Sequence, residues 1–190
     1  DQKSAAEPAL ISARMLAVTP PPFAELFREH APHAGRALRN LGVSEVDLPD
    51  ALQEAFLVVH RKLPSFRGES SLRTWIYGIC MRVAAAYRRR PQRARETTLD
   101  DAPVAVAPTT PHDEAERREA LAQLDAALER LDDDKRVVFV LYELEELTLA
   151  EVAAAVGAPL PTVFSRLQAA RRIIQSAFAE DGAGQRGQKR

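Results

Sequence analysis

Apolar residues recur at helical spacing along most of the chain, and no segment shows the strict alternation that is typical of a β-strand. Residues 23–42 predict a helix that Pro32 bends or divides and that Gly42 ends. The pattern LPDALQEAFLVVHRKL at 48–63 has one apolar stripe, formed by Leu52, Ala55, Phe56, Val59 and Leu63. The opposite face of this predicted helix mixes polar residues with a leucine: Asp50, Gln53, Glu54, Leu57 and Arg61.

A polar loop at 63–71 leads into a third predicted helix, from about Ser71 to Arg90. Its core stripe consists of Leu72, Ile76, Ile79, Cys80, Val83 and Tyr87. A separate face carries the only tryptophan of the chain together with a glycine, an arginine and an alanine: Trp75, Gly78, Arg82 and Ala86. The helical pattern then stops in a segment with four prolines at 91–111, which predicts a linker.

The second half of the chain predicts a helix at about 112–131, a short apolar helix and then a pair of helices. Thr148 and Glu151 form a capping-box pattern that starts a helix ending at Gly157. The last helix opens near Pro159 to Pro161, and its buried stripe is Val163, Leu167, Ala170 and Ile174. Its outer face shows small polar and basic residues: Thr162, Ser165, Arg166, Ala169 and Arg172.

These patterns predict an all-α fold with two small helical domains. The expected organisation is a flexible leader at 1–19, a first domain at 20–92, a flexible linker at 93–111, a second domain at 112–179 and a disordered tail at 180–190. The paired helices of the second domain have helix-turn-helix geometry, in which the second helix enters a DNA major groove. An ordinary helical hairpin remains the alternative for this segment.

Charge changes the picture because it is segregated along the chain. The net charge is only −1, yet residues 71–95 contain seven arginines and no acid, whereas residues 99–119 contain six acids and two arginines. Basic blocks of this kind bind phosphate locally in a chain of neutral total charge. The sequence also lacks a membrane-length apolar run and a secretion signal, and its single cysteine fits a reducing compartment, so we expect a cytoplasmic protein.

The opening loop and the basic helix form a second candidate nucleic-acid site. Phe66 and Arg67, in a loop beside Trp75, are residues that could line a pocket for an extruded base. Core packing of Trp75 and a solvated helix end at Arg88, Arg89 and Arg90 are the alternatives. Enzyme readings find less support, because His30 and His33 lack further ligands at metal-binding spacing and the glycines form no phosphate-binding motif. We therefore expect no catalytic residue, metal or cofactor.

The two halves together resemble the extracytoplasmic-function (ECF, group four) sigma factors of the sigma-70 family. PDALQEAFLVVHRKLPSFRGESSLRTWIYGI is similar to the first domain of that family, and LTLAEVAAAVGAPLPTVFSRLQAARRII is similar to its second. The resemblance implies a sigma factor that binds core RNA polymerase and directs transcription from stress or envelope-response promoters under an anti-sigma factor. The alternative is a helix-turn-helix regulator that binds duplex operator DNA alone.

The resemblance also implies roles for individual residues. The beta-prime clamp helices of the polymerase would be contacted by Asp50, Gln53, Glu54 and Leu57. The minus-ten element, flipped and single-stranded, would be held by Ser65, Phe66, Arg67, Gly68, Glu69, Ser70, Ser71, Arg73, Thr74, Trp75, Arg82, Arg88, Arg89 and Arg90. The minus-thirty-five duplex would be read by Thr148, Pro161, Thr162, Phe164, Ser165, Arg166, Ala169, Arg171 and Arg172. The second domain would touch the beta flap, and the linker, with Asp100 and Asp101, would lie along the RNA exit path.

Four positions depart from the pattern of that family. Arg82 stands where asparagine is frequent, and Ala86 stands where an acid is frequent. Phe164 and Ala169 stand at frequently basic positions of the recognition helix. The base preferences of relatives therefore do not transfer to this chain.

Overall fold

The computed structural model describes residues 21–89 and 111–187. Its helices are α1 Phe23–Asn40, α2 Leu48–Lys62, α3 Leu72–Arg88, α4 Pro111–Glu129, α5 Asp133–Phe139, α6 Leu149–Val156 and α7 Leu160–Gly187. A 3-10 turn, Leu63–Ser65, follows α2, and a π-helical segment, Val140–Leu144, follows α5. Within these two ranges the structure contains no β-strand, which confirms the predicted all-α fold.

The first domain is a bundle in which α1, α2 and α3 all contact one another. The apolar stripes that the sequence predicts face its centre: Ala55, Phe56 and Val59 from α2 are buried, with Ile76, Ile79 and Cys80 from α3. Aromatic rings close one side, where the rings of Phe27 and Phe56 meet edge to face at 4.7 Å between centroids. Burial also raises the pKa of the Cys80 thiol to about 12, as expected for a small core residue rather than a reactive one.

The second domain packs α4, α5 and α6 against the long helix α7. Asp132 caps α5 by accepting a hydrogen bond from the backbone N–H of Lys135 at 2.9 Å, so the acidic run begins a helix as predicted. The predicted stripe of α7 is buried, as Val163, Leu167, Ala170 and Ile174 are each at most 6% exposed.

The two domains contact each other through α3 and α6, and through α1 and the π-helical segment. Arg136 of α5 reaches across this interface, where its Nε donates a hydrogen bond to the backbone oxygen of Asn40 at 2.8 Å. Gly42, in the turn after α1, has a φ of 92° and lies directly against the Arg136 guanidinium. The interface therefore combines helix packing with buried polar contacts.

Two expectations about these helices are corrected. Pro32 does not divide α1, which runs uninterrupted from Phe23 to Asn40. Its ring is exposed to solvent, and the buried residues that follow it, Ala34, Ala37 and Leu38, anchor the second half of the helix on the core. The tail predicted to be disordered from residue 180 is helical through Gly187. An ion pair at 2.6 Å between Arg130 and Glu180 ties the start of this segment to the domain. The predicted leader and most of the predicted linker lie outside the described residues.

Candidate nucleic-acid interface

The loop between the 3-10 turn and α3 brings two aromatic rings together. The rings of Phe66 and Trp75 are 5.1 Å apart between centroids and inclined at 47°, and both side chains are half-buried. Gly68 allows the loop to turn because its φ is 71°, a value that side chains disfavour. Arg67 and Glu69 are exposed at the tip. A pair of tilted, half-exposed rings beside a free arginine is a surface on which a base can stack.

Serines fix the loop to the ends of the neighbouring helices. Ser65 donates a hydrogen bond to the backbone oxygen of Lys62 at 2.8 Å. Ser71 caps α3 by accepting one from the backbone N–H of Thr74 at 3.1 Å, and its hydroxyl also bonds that of Thr74 at 2.7 Å. The first turn of α3 is therefore rigidly placed below the aromatic pair.

A cleft of about 110 Å³ lies beside Trp75, between the two domains. Four residues predicted to hold the minus-ten element line it on the first-domain side: Ser70, Thr74, Trp75 and Arg82, with Gly78 at their centre. The opposite wall is formed by Ala154 and Ala155 of α6. The structure therefore brings the core of the predicted minus-ten set together, under a cover from the second domain.

Arg73 points away from this cleft and toward the second domain. Its guanidinium lies over the Tyr77 ring at 5.5 Å, donates to the Tyr77 hydroxyl and donates to the backbone oxygen of Glu145. The Tyr77 hydroxyl in turn donates a short hydrogen bond to the carboxylate of Glu145. Burial, followed by this hydrogen bond, raises the pKa of Tyr77, so the hydroxyl stays a donor.

The remaining arginines of the predicted minus-ten set are not part of the cleft. Arg88 lies at the far end of α3, where its Nη2 is 2.6 Å from a carboxylate oxygen of Asp133. Arg89 is exposed at the end of the same helix, and Arg90 lies outside the described residues.

The helix-turn-helix geometry of the second domain is confirmed. Thr148 accepts a hydrogen bond from the backbone N–H of Glu151, whose carboxylate accepts one from the backbone N–H of Thr148 at 2.9 Å. This backbone bond, together with the Thr148 hydroxyl, lowers the pKa of Glu151. Gly157 ends α6 in the left-handed conformation, with a φ of 67°, and α7 begins three residues later. Thr148 serves this cap, so its hydroxyl is already engaged.

The predicted reading face lies on the first turns of α7. Pro161, Phe164, Ser165 and Arg172 are exposed, with Phe164 at 49%, whereas Thr162 and Ala169 are half-buried. Two arginines of this set are held by acids of their own domain. Arg166 is 2.5 Å from a carboxylate oxygen of Asp134, and Arg171 is 2.6 Å from one of Glu143 and lies over the Tyr142 ring.

The polar face of α2 is open to solvent, as predicted. Asp50 and Gln53 are exposed, Glu54 is half-buried, and Leu57 is 54% exposed. An exposed leucine among acidic and amide groups is a feature of protein-binding surfaces.

The sequence patterns gave no indication of Tyr77, Arg136 or Glu145 as interface residues. Tyr77 lies beside the predicted core stripe, and Glu145 and Arg136 are a buried acid and a buried base at 2% and 6% exposure. The one available signal was the position of these charges within the apolar run RVVFVLYELEEL. A charge inside such a run needs a partner from elsewhere in the chain.

Two further searches of the described ranges returned nothing. Residues 21–89 and 111–187 hold no group of three or more histidine, cysteine or acidic side chains that could bind a metal ion. In the same part of the chain, no helix is long and apolar enough to cross a membrane.

Comparison with known proteins matches both domains. Residues 26–94 match the family model for sigma-70 region 2, and residues 121–174 match that for sigma-70 region 4. The ECF RNA polymerase sigma-E factor of Haemophilus influenzae is 33% identical over 144 residues, covering 70% of this chain and 76% of that protein. The ECF RNA polymerase sigma-E factor of Escherichia coli K12 is 32% identical over 153 residues, covering 76% and 80%.

Two solved structures share the fold. CnrH, in complex with the cytosolic domain of CnrY, has a TM-score of 0.64 at 24% identity, with 84% of this chain and 88% of that chain covered. The sigma factor RpoE from Bartonella quintana, in complex with the anti-sigma factor NepR, has a TM-score of 0.64 at 20% identity, with 83% and 96% covered. Since both domains match in order, and relatives above 30% identity are covered over more than two thirds of their length, the chain belongs to the ECF sigma factors of the sigma-70 family.

Proposed function

We propose that this protein is a promoter-specificity subunit that binds bacterial core RNA polymerase and directs initiation at promoters with a minus-ten and a minus-thirty-five element. The observation that carries the proposal is the pairing, in one chain, of an aromatic cleft on a basic helix with a helix-turn-helix domain. It contributes no catalytic group of its own. We place it in the cytoplasm, where polymerase and promoter DNA are found.

The test is run-off transcription with core polymerase on a pool of candidate upstream regions, with and without the protein. Transcripts that depend on the protein and share an upstream pattern are the expected result. Footprinting of a duplex operator by the protein alone, with no effect on transcription by core polymerase, would instead identify a stand-alone regulator. The family match does not favour that alternative.

In the first domain, the loop and α3 would separate the strands and hold the non-template strand. Extruding a base costs a few kcal/mol, and stacking on an aromatic side chain recovers about 1–3 kcal/mol for each base. Phe66 and Trp75 supply the stacking surface, and the exposed Arg67 and Arg82 supply positive charge for the phosphates.

In the second domain, α7 would enter the major groove of the minus-thirty-five duplex. Thr162 and Ser165 lie on its first turns, where side chains reach base edges. Phe164, at 49% exposure, is suited to contact the methyl groups of thymine.

Arg172 provides a specific prediction for phosphate contact. Arg172→Ala should reduce the slope of log affinity against log salt by about 1 for holoenzyme binding to a duplex minus-thirty-five fragment, because one released counterion is lost. Arg117→Ala is the control, since Arg117 is exposed on α4, outside the predicted face. An equal change of slope in both variants would remove Arg172 from the interface. The measurement is a salt titration by fluorescence anisotropy.

The α2 face would dock on the beta-prime clamp helices of the polymerase. Leu57→Ala should weaken core binding about tenfold, because an exposed leucine that becomes buried in an interface contributes more than 1 kcal/mol. Val46→Ala is the matched control: Val46 is 70% exposed in the turn before α2, outside the predicted docking set. Affinities are measured with labelled protein and core polymerase. Equal losses for the two variants would contradict the assignment.

Control by an anti-sigma factor is part of the proposal. The two solved neighbours are each bound to a second protein, which for the Bartonella quintana protein is an anti-sigma factor. We propose that the second domain also contacts the beta flap and that the linker, with Asp100 and Asp101, follows the RNA exit path.

A further inference from the structure

A short acidic stretch of the second domain, residues 133–145, engages four of the arginines that are predicted to hold DNA. Two pairs lie within the second domain: Arg166 with Asp134 at 2.5 Å and Arg171 with Glu143 at 2.6 Å. The other two cross between the domains: Arg88 with Asp133 at 2.6 Å and Arg73 with Glu145 at 3.9 Å. Carboxylates thus take positions beside guanidinium groups that DNA phosphates would otherwise take.

Glu145 is the one acid of this stretch that is buried, at 2% exposure. Its carboxylate accepts the hydrogen bond of the Tyr77 hydroxyl and faces the Arg73 guanidinium, so its partners come from the other domain. The backbone aims it there: Glu145 donates to the oxygen of Val140 at the end of the π-helical segment, and the next residue, Glu146, has a φ of 56°. A buried carboxylate needs such partners, because losing them leaves an uncompensated charge.

This contact holds α6 over the Trp75 face. The same helix is tied down by Glu151, which accepts a hydrogen bond from the Thr74 hydroxyl at 3.3 Å. A Cβ atom on Gly78 would come within 3.7 Å of the backbone oxygen of Ala155, so α3 and α6 are in close contact there. The remaining cleft of about 110 Å³ is too small for a DNA strand.

We propose that the free protein is closed by a latch, formed by Glu145 on Tyr77 and Arg73, that covers its own minus-ten site. In this state the acidic stretch stands in for promoter phosphates, and the second domain must swing away before a strand can lie along α3. The inference rests on the proposed function for the identity of the covered face. The exposed ion pairs contribute little by themselves, so the buried carboxylate is the contact that decides whether the latch is closed.

The test removes the charge of the latch and measures both consequences without polymerase. Glu145→Gln should increase the acrylamide quenching of Trp75, the only tryptophan, because α6 no longer shields it. It should also bind a fluorescein-labelled, 12-nucleotide single-stranded DNA of random sequence about 5- to 30-fold more tightly, as expected when a closed state loses a buried polar contact. Glu180→Gln is the matched control, since it removes the same charge from an exposed ion pair inside the second domain.

Tyr77→Phe tests the same latch from the first domain and leaves the ring in the core. It should change quenching and DNA affinity in the same direction, with an unchanged far-UV spectrum. Quenching equal to that of the control in both variants would overturn the latch. Increased quenching with unchanged DNA affinity would overturn the covering of a DNA site. Because quenching requires neither polymerase nor promoter, it reports on closure separately from the run-off assay that tests the proposed function.

Discussion

Replacing Trp75 by alanine is expected to lower run-off transcription roughly 5- to 150-fold, while affinity for core polymerase stays within twofold. The range corresponds to the loss of one aromatic stacking platform, about 1–3 kcal/mol. The indole lines the cleft and braces Phe66, so its removal takes away one ring and loosens the other. Core binding is spared because the predicted docking face lies on α2, a different helix.

Two controls make this result specific. Phe178→Ala removes an aromatic ring that is 41% exposed on α7, outside the predicted sites, and should leave transcription nearly unchanged. A template whose minus-ten region is already unpaired should recover part of the activity of Trp75→Ala, because the cost of separating the strands has been removed. A parallel loss of core affinity and transcription in Trp75→Ala would mean that the residue supports the fold rather than the strand separation.

Much of the fold could be predicted because its signals are local. The capping box at Thr148 and Glu151 and the left-handed end at Gly157 depend on residues three or four positions apart, so the helix-turn-helix follows from the sequence alone. The buried stripes of α2, α3 and α7 follow from helical periodicity in the same way. Pro32 was misjudged because its local preference is outweighed by the tertiary packing of the residues that follow it.

The contacts between the domains could not be predicted, because they join residues that are far apart along the chain. Tyr77 and Glu145 are 68 positions apart, and Arg136 and Asn40 are 96 apart. A sequence pattern indicates that a charge lies in an apolar run, but it does not indicate the partner. The same limitation affected the predicted DNA-binding arginines, since exposure of a basic helix face cannot be told from pairing with a distant acid until the fold is known.

The acidic stretch also explains how the basic and acidic blocks of the chain fit together. The net charge of −1 arises from arginines that can reach carboxylates of the same molecule. Pairs of this kind are weak in water and weaker in salt, so DNA phosphates can displace them. A nucleic-acid-binding chain of neutral total charge is therefore consistent with a site that is covered until it is used.

Gly42→Ala is expected to lower the free energy of unfolding by about 2–3 kcal/mol, against about 1 kcal/mol for Gly157→Ala. Both glycines have positive φ, 92° and 67°, so both substitutions strain the backbone. A Cβ at Gly157 would meet nothing within 4 Å, whereas one at Gly42 would come within 2.8 Å of Nη1 of Arg136. Arg136 has little freedom to withdraw, because it is 6% exposed and its Nε is bonded to the oxygen of Asn40.

Denaturant unfolding monitored by far-UV circular dichroism measures both values, and the comparison isolates the contact from the backbone strain. The excess loss in Gly42→Ala should disappear when Arg136→Ala is combined with it, because the two substitutions then share one cause. Additive losses in the double variant would show that Arg136 moves aside at no cost, and the close fit at Gly42 would then contribute nothing to holding the two domains together.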